Sequence, residues 1–270
     1  MNFLFRLIFS IWATPFAAFW TLFVAGMYVF VAIFYRPVPW MDFCQRFHGK
    51  VLLPLIGVRV EVHGADEIAE DETAIVMSNH RSLLDIPVLT ANVPRIRFVA
   101  KRELGRIPIF GWALLRSEHV LIDRKDRQSA ITALQKMATV FGKGRNLMVF
   151  AEGTRASTEK LLPLKKGGFH LALDTGLKIR PVSIEGTQHL LKKGSFLIAP
   201  GKVVVTIHPV IEVEGKSRKE LGELRAKTRA SILSGLPSAQ ALEDPPKTSA
   251  APSSEPSAPS QEPTPSERGA

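Results

Sequence analysis

Three patterns of hydrophobic and polar positions follow one another along the chain. From Leu7 to Tyr35 no charged residue interrupts a run rich in Phe, Leu, Val, Ala and Trp, and Arg6 and Arg36 stand at its borders. From about Val51 to Leu236, short apolar runs alternate with longer amphipathic stretches, the pattern of a domain in which strands and helices take turns. Beyond Pro237 the chain turns to Pro, Ser, Ala, Glu and Thr without apolar periodicity, which buries too little surface to fold. The expected organisation is therefore helical, membrane-spanning or interfacial over residues 1–50, an α/β domain over 51–236, and a disordered tail over 237–270.

A continuous helix over the first run would be about 43 Å long, against a hydrocarbon core of about 30 Å, so it must tilt strongly or break. Pro15 is the natural break point. Two arrangements fit: a short interfacial helix followed by a span from Phe16 to Tyr35, or two helices that enter one leaflet without crossing. The run is about twice the length of a signal-peptide core and no small-x-small site follows it, so it reads as a retained segment. Arg36, Arg46, Lys50 and Arg59 against Asp42 then keep the body on the cytoplasmic face if the segment spans.

In the middle region the apolar runs predict strands at Arg59–Val62, Ala74–Ser78, Ile96–Ala100, Val120–Asp123, Asn146–Ala151, Ile179–Glu185 and Lys202–Ile207. The amphipathic stretches predict helices at Ile86–Ala91, Gly111–Leu115, Arg127–Gly142, Gly168–Thr175 and Arg218–Ser234. The fold class is α/β, a mixed central sheet flanked by helices, with the membrane-associated helical segment in front.

Composition narrows the class of partner. The 270 residues carry a formal charge of +10, which draws the surface to phosphate-rich partners, either nucleic acid or anionic lipid. The apolar N-terminal run decides for lipid. The tail is acidic, with Glu243, Asp244, Glu255, Glu262 and Glu267 against Lys247 and Arg268, so the basic excess lies on the body. A single cysteine, Cys44, excludes an internal disulfide and a multi-cysteine metal site, and its apolar surroundings mark it as packing.

Among seven histidines the informative one is His80, in Asn79-His80-Arg81-Ser82-Leu83-Leu84-Asp85, directly after the run Ala74-Ile75-Val76-Met77. It stands at a strand's C-terminal end, where ligand crevices form in open α/β sheets. Five positions on a regular helix are about 140° apart around the axis, so His80 and Asp85 meet only if a turn separates them. Pro87 places a helix start near Asp85 and supplies that turn. An imidazole hydrogen-bonded to a carboxylate is a general base held in one tautomer, suited to deprotonating an alcohol.

A second segment, Phe150-Ala151-Glu152-Gly153-Thr154-Arg155, also follows a predicted strand. Gly153 permits close backbone approach, Thr154 offers a hydroxyl and Arg155 a planar fork that fits phosphate oxygens. Glu152 would repel a phosphate, so its part is to hold and orient a basic neighbour. Lys101, Arg102, Arg106, Arg124, Lys165 and Lys166 add positive charge, several of them again just past strands.

Together these residues resemble the glycerolipid acyltransferase family, and within it the 1-acylglycerol-3-phosphate acyltransferases. The resemblance rests on four segments in order: Asn79 to Asp85; Lys101-Arg102-Glu103-Leu104-Gly105 with Ile107-Pro108-Ile109-Phe110-Gly111; Phe150 to Arg155; and Ile179-Arg180-Pro181-Val182. It implies His80 as general base with Asp85 as its partner. It also implies a site for the acceptor's phosphate built from Glu152, Gly153, Thr154 and Arg155; Lys101 and Arg124, each just past a predicted strand, are expected beside it from their place in the sequence. The co-substrate it implies is an acyl thioester, acyl-CoA or an acylated carrier protein, with no metal and no further cofactor. Expected partners are a lysophospholipid, membrane lipids and acyl carrier protein, and not nucleic acid. Two positions depart from the family pattern: Ala151 stands where proline is usual and Ala156 where serine is common.

Two other classes compete. A membrane-anchored serine hydrolase would need a nucleophile, but there is no Gly-x-Ser-x-Gly, and neither Ser82 nor Ser157 stands in an elbow. A non-enzymatic binder of anionic lipid leaves the strand-end His and Asp without a purpose. Within the acyltransferase class the alternative acceptors are a lyso-ornithine lipid or another lysophospholipid.

Overall fold

The computed structural model describes residues 3–34, 38–69, 72–123, 144–158 and 160–237. The predicted helix Arg127–Gly142, Arg124 and the tail from residue 238 lie outside them. Helix α1, Phe3–Phe34, runs without a break through Pro15. Helix α2, Val38–Leu55, follows it and carries Trp40, Phe43 and Phe47 at helical spacing, stacked in sequence. Leu52, Leu53 and Ile56 then lead into the core of the α/β domain.

Seven strands follow: β1 (Val58–His63), β2 (Ile75–Ser78), β3 (Ile96–Lys101), β4 (Val120–Ile122), β5 (Asn146–Phe150), β6 (Ile179–Glu185) and β7 (Gly201–Ile207). They form one sheet in the order β1-β7-β6-β2-β5-β3-β4. The pairs along β6-β2-β5-β3-β4 are parallel, whereas β6 meets β7 antiparallel and β1 joins β7 in parallel. This is the mixed sheet that the apolar runs predict. All seven strands and the helices α3 (Asp85–Asn92), α4 (Phe110–Arg116) and α5 (Gly167–Thr175) fall within one residue of their predicted limits.

β2 is buried at every position. Strands covered on both faces read as continuous apolar runs, because neither side of the pleat meets water. Val76 faces α3, the N-terminal half of α1 and the end of α2, where Ala13, Leu53, Val88 and Leu89 gather. Ile75 and Met77 face the other way, onto Phe169 and Ala172 of α5 and onto Leu224 and Ile232 of α7 (Leu221–Ser234). Each such side chain contributes about 1.5–3 kcal/mol on burial, so β2 is a well-fixed platform. Ser217 and Glu220 form a capping box just before α7.

One feature of register positions the site. Ser78, the last residue of β2, lies level with Phe150 at the end of β5 and with Val182 of β6. Residues that leave these strands together therefore emerge on one edge of the sheet. The short helix α6 (Thr187–Leu190) begins two residues past the end of β6, on that same edge.

Candidate active site

The turn after β2 brings His80 and Asp85 together: Nδ1 of His80 lies 2.7 Å from Oδ2 of Asp85. Helix α3 begins at Asp85, so this carboxylate occupies the first helical position. It points backwards rather than into its own helix. Oδ2 also accepts the backbone N–H groups of Arg81 (2.8 Å) and Ser82 (2.9 Å), and Oδ1 accepts the hydroxyl of Thr187 at 2.6 Å. Asp85 is 1% exposed, and four donors satisfy the charge that burial would otherwise penalise.

With Nδ1–H given to the carboxylate, the basic nitrogen of His80 is Nε2, which has no protein partner among the described residues. The imidazole lies against the ring of Phe150 with centroids 3.6 Å apart and planes 13° from parallel. Its side chain is 13% exposed. A ring fixed by a carboxylate at one nitrogen and by an aromatic face on one side can take a proton at the other nitrogen without reorienting.

Glu152 sits directly beneath this turn. Its Oε1 accepts the His80 backbone N–H at 2.8 Å and its Oε2 accepts that of Leu162 at 2.9 Å. The side chain is buried, and burial pushes its carboxyl above the ordinary carboxylate range against the pull of those two N–H groups and of Arg81. Glu152 thus spends both oxygens on backbone N–H groups and not on the basic neighbour that the sequence led us to expect.

Gly153 follows with φ 70°, a left-handed turn that glycine adopts without strain. The Lys165 side chain passes close over it, 3.2 Å from where a Cβ would sit. Thr154 is exposed and Arg155 half-buried, and the Arg155 carbonyl accepts Nζ of Lys193 at 2.7 Å. Cationic side chains at 155, 165 and 193 therefore surround one loop. Lys101 ends β3, two strands away from β2, and pairs with Glu103 at 2.9 Å on the surface. The structure groups His80, Asp85 and Glu152 tightly and Gly153, Thr154 and Arg155 beside them, with Lys101 further along the same edge.

The two departures from the family pattern sit on the bonds that fasten this loop. The Ala151 N–H donates to the Ser78 carbonyl at 2.9 Å, a bond that proline would lack, and the Ala156 N–H donates to the His80 carbonyl at 2.8 Å. Sequence reasoning missed Phe150 as the ring under His80, and Thr187 as a donor to Asp85. It also missed the task of Arg180 in the fourth segment, which is buried, pairs with both oxygens of Glu72 and donates to the carbonyls of Glu67 and His208. A strongly apolar strand with one arginine in it is the signal that was present for Arg180.

Fold and site together define an α/β enzyme scaffold with an oriented imidazole at the C-terminal edge of its sheet. A family model described as Acyltransferase matches residues 59–185. A 1-acyl-sn-glycerol-3-phosphate acyltransferase of Pseudomonas aeruginosa is 30% identical over 69% of this chain and 72% of its own length. One of Saccharomyces cerevisiae is 34% identical over 71% of this chain and 64% of its own. The chain therefore spans just under two thirds of some of its curated relatives. The crystal structure of PlsC, the 1-acyl-sn-glycerophosphate (LPA) acyltransferase from Thermotoga maritima, superposes with a TM-score of 0.77 at 30% identity, covering 91% of this chain and 100% of that one. The chain belongs to the acyltransferase family.

Proposed function

We propose that the protein transfers a fatty acyl group from an acyl thioester to the free sn-2 hydroxyl of 1-acyl-glycerol-3-phosphate, giving phosphatidic acid, with His80 as general base. The observation that carries this reading is the 2.7 Å bond from His80 Nδ1 to Asp85, which leaves Nε2 as the proton acceptor. Nε2 takes the hydroxyl proton while the oxygen attacks the thioester carbonyl. The tetrahedral oxyanion collapses, the C–S bond breaks, and the leaving thiolate recovers the proton from the imidazolium. Asp85 stabilises that imidazolium and is not itself protonated. No covalent acyl-enzyme forms.

The acceptor's phosphate is assigned to the loop Gly153-Thr154-Arg155, with Lys165 and Lys193 beside it. Relatives named for the same acceptor support this choice over other lysolipids. The donor is acyl-CoA or an acylated carrier protein, and no metal takes part.

Helix α1 supports action at a membrane surface. It is the one helix among the described residues long and apolar enough to cross a bilayer, and Phe3, Ile11, Phe19, Phe30 and Phe34 are exposed along it. Yet it is tied to the domain near both ends: Arg6 donates to the His189 carbonyl at 2.8 Å and Tyr28 to the Arg116 carbonyl at 2.9 Å. Between those ties Ser10 and Thr14 also donate to carbonyls of the domain, Ile198 at 3.0 Å and Phe196 at 2.6 Å, so the helix leaves no untied stretch of about 20 residues for a crossing. This favours a helix lying in one leaflet, and Arg46, Lys50 and Arg59 favour the cytoplasmic one.

The test is acyl transfer by the purified, detergent-solubilised protein from labelled acyl-CoA to 1-acylglycerol-3-phosphate, with His80→Ala beside it and lyso-ornithine lipid as competing acceptor. Phosphatidic acid formed only by the unmutated protein is the expected result. Product from the other acceptor alone would replace the substrate, and no product from either, with an acylated carrier protein also tried, would overturn the reaction.

A further inference from the structure

The segment from Gly186 to Pro200 belongs to none of the four motif segments, yet it touches the catalytic turn on one side and α1 on the other. Towards the site, the Thr187 hydroxyl donates to Asp85 Oδ1 at 2.6 Å and the Ser82 hydroxyl donates to the Leu191 carbonyl at 2.8 Å. Towards α1, Arg6 donates to the His189 carbonyl at 2.8 Å, Thr14 to that of Phe196 at 2.6 Å and Ser10 to that of Ile198 at 3.0 Å. Gly186 holds φ 99° against the Lys202 carbonyl, 2.5 Å from where a Cβ would stand, so only glycine fits the turn that delivers Thr187.

We propose that Thr187 is a positioning residue for the His80–Asp85 pair. Asp85 presents its two oxygens unequally: Oδ2 carries His80 and two backbone N–H groups, whereas Thr187 is the one donor on Oδ1 among the described residues. Three donors on one oxygen fix where that oxygen lies but leave the carboxylate plane to turn about it. The Thr187 bond fixes the plane. Thr187 is fully buried, so no solvent hydroxyl stands ready in its place. The plane of the carboxylate sets the direction of its bond to Nδ1, and through the rigid ring it sets the direction of Nε2.

The inference rests on His80 as the base, and its test separates the two. Thr187→Val removes the donor at constant shape and Thr187→Ser restores it. In acyl transfer to 1-acylglycerol-3-phosphate, Thr187→Val is expected to lower kcat about 30-fold, the loss of one hydrogen bond to a charged group, with KM for the acceptor within about twofold. Thr187→Ser returns kcat to within about threefold of the unmutated protein. A Thr187→Val protein with unchanged kcat, beside an inactive His80→Ala, would overturn this inference and leave the base in place. If His80→Ala keeps its activity, the base is wrong, and the geometry is then read directly. In protein labelled with 15N-histidine, the low-field Nδ1–H proton signal of His80, identified by its loss in His80→Ala, is expected to move in Thr187→Val and to return in Thr187→Ser. A signal unmoved in Thr187→Val would overturn the positioning role whatever the activity.

Discussion

The turn Asn79–Asp85 and the loop Gly153–Arg155 lie side by side on one sheet edge and are built in opposite ways. In the turn the polar groups around His80 are held inside the protein: Asn79 bonds the backbone of Ile184 at both ends of its amide, Ser82 and Asp85 are buried and hydrogen-bonded, and Glu152 holds the turn from below. In the loop, Thr154 is exposed, and the neighbouring Lys165 and Lys193 side chains reach solvent. On the proposed mechanism the contrast separates two tasks. A proton transfer needs groups fixed before substrate arrives, whereas a dianionic headgroup is gathered by charges that can move to meet it. The turn should therefore answer to mutation through kcat and the loop through KM.

The largest expected effect tests the turn. Asp85→Asn places an amide where three donors converge on Oδ2 and removes the charge that supports the imidazolium, and acyl transfer should fall about a thousandfold or more while the fold persists. Activity within tenfold of the unmutated protein would erase the distinction drawn above. Glu152→Ala leaves the half-buried His80 and Leu162 N–H groups without acceptors, which costs about 1–3 kcal/mol in all and should appear as a lowered melting midpoint together with reduced turnover. An unchanged midpoint would show that Glu152 does not hold the turn. In the loop, Arg155→Ala should raise KM for the phosphate-bearing acceptor about tenfold, leave kcat within about threefold, and lose its effect as salt is added. A purely kcat effect would move Arg155 into the fixed group.

The smallest effect concerns a histidine outside both regions. His119 accepts the Phe98 N–H at 3.0 Å through Nδ1, and burial, with Arg97 beside it, pushes its pKa down to about 3. It stays neutral in the folded chain while the unfolded chain takes up a proton near pH 6.5. Stability from this group is therefore present above pH 6.5 and is lost as pH falls towards 3. The ring keeps some exposure, so the slope should stay below the full ~1.4 kcal/mol per pH unit. His119→Asn, whose Oδ1 stands where Nδ1 does and can still accept the N–H, should flatten the acid limb of a melting curve series, and an unchanged limb would assign acid sensitivity elsewhere.

The strands were legible because β2, β5 and β6 are covered on both faces, and a doubly covered strand writes itself as an apolar run. α2 was legible only as part of a helical region over residues 1–50, without limits of its own and without its run on to Leu55. Val38–Leu55 mixes Asp42, Gln45, Arg46 and Lys50 with apolar residues and contains two prolines, and Asp42 is turned inward to pair at 2.7 Å with Arg97, which is fully buried on β3. His80 and Asp85 could be paired from the sequence because a local turn joins them. Phe150 and Thr187 could not, since they reach the same point through the sheet's register and not through nearby sequence.

That distance along the chain has a consequence for how the protein is made. Thr187 lies 102 residues beyond Asp85, and Glu152 lies 72 beyond His80. A growing chain therefore presents the apolar α1 long before β5, β6 and α6 exist, and parallel strands pair only when their distant partners have been synthesised. The catalytic turn is among the first pieces of the domain to leave the ribosome and among the last to be completed. On the proposed function, α1 would reach lipid while the chain is still chemically silent, and reactivity would begin only once nearly the whole domain has closed around Asp85.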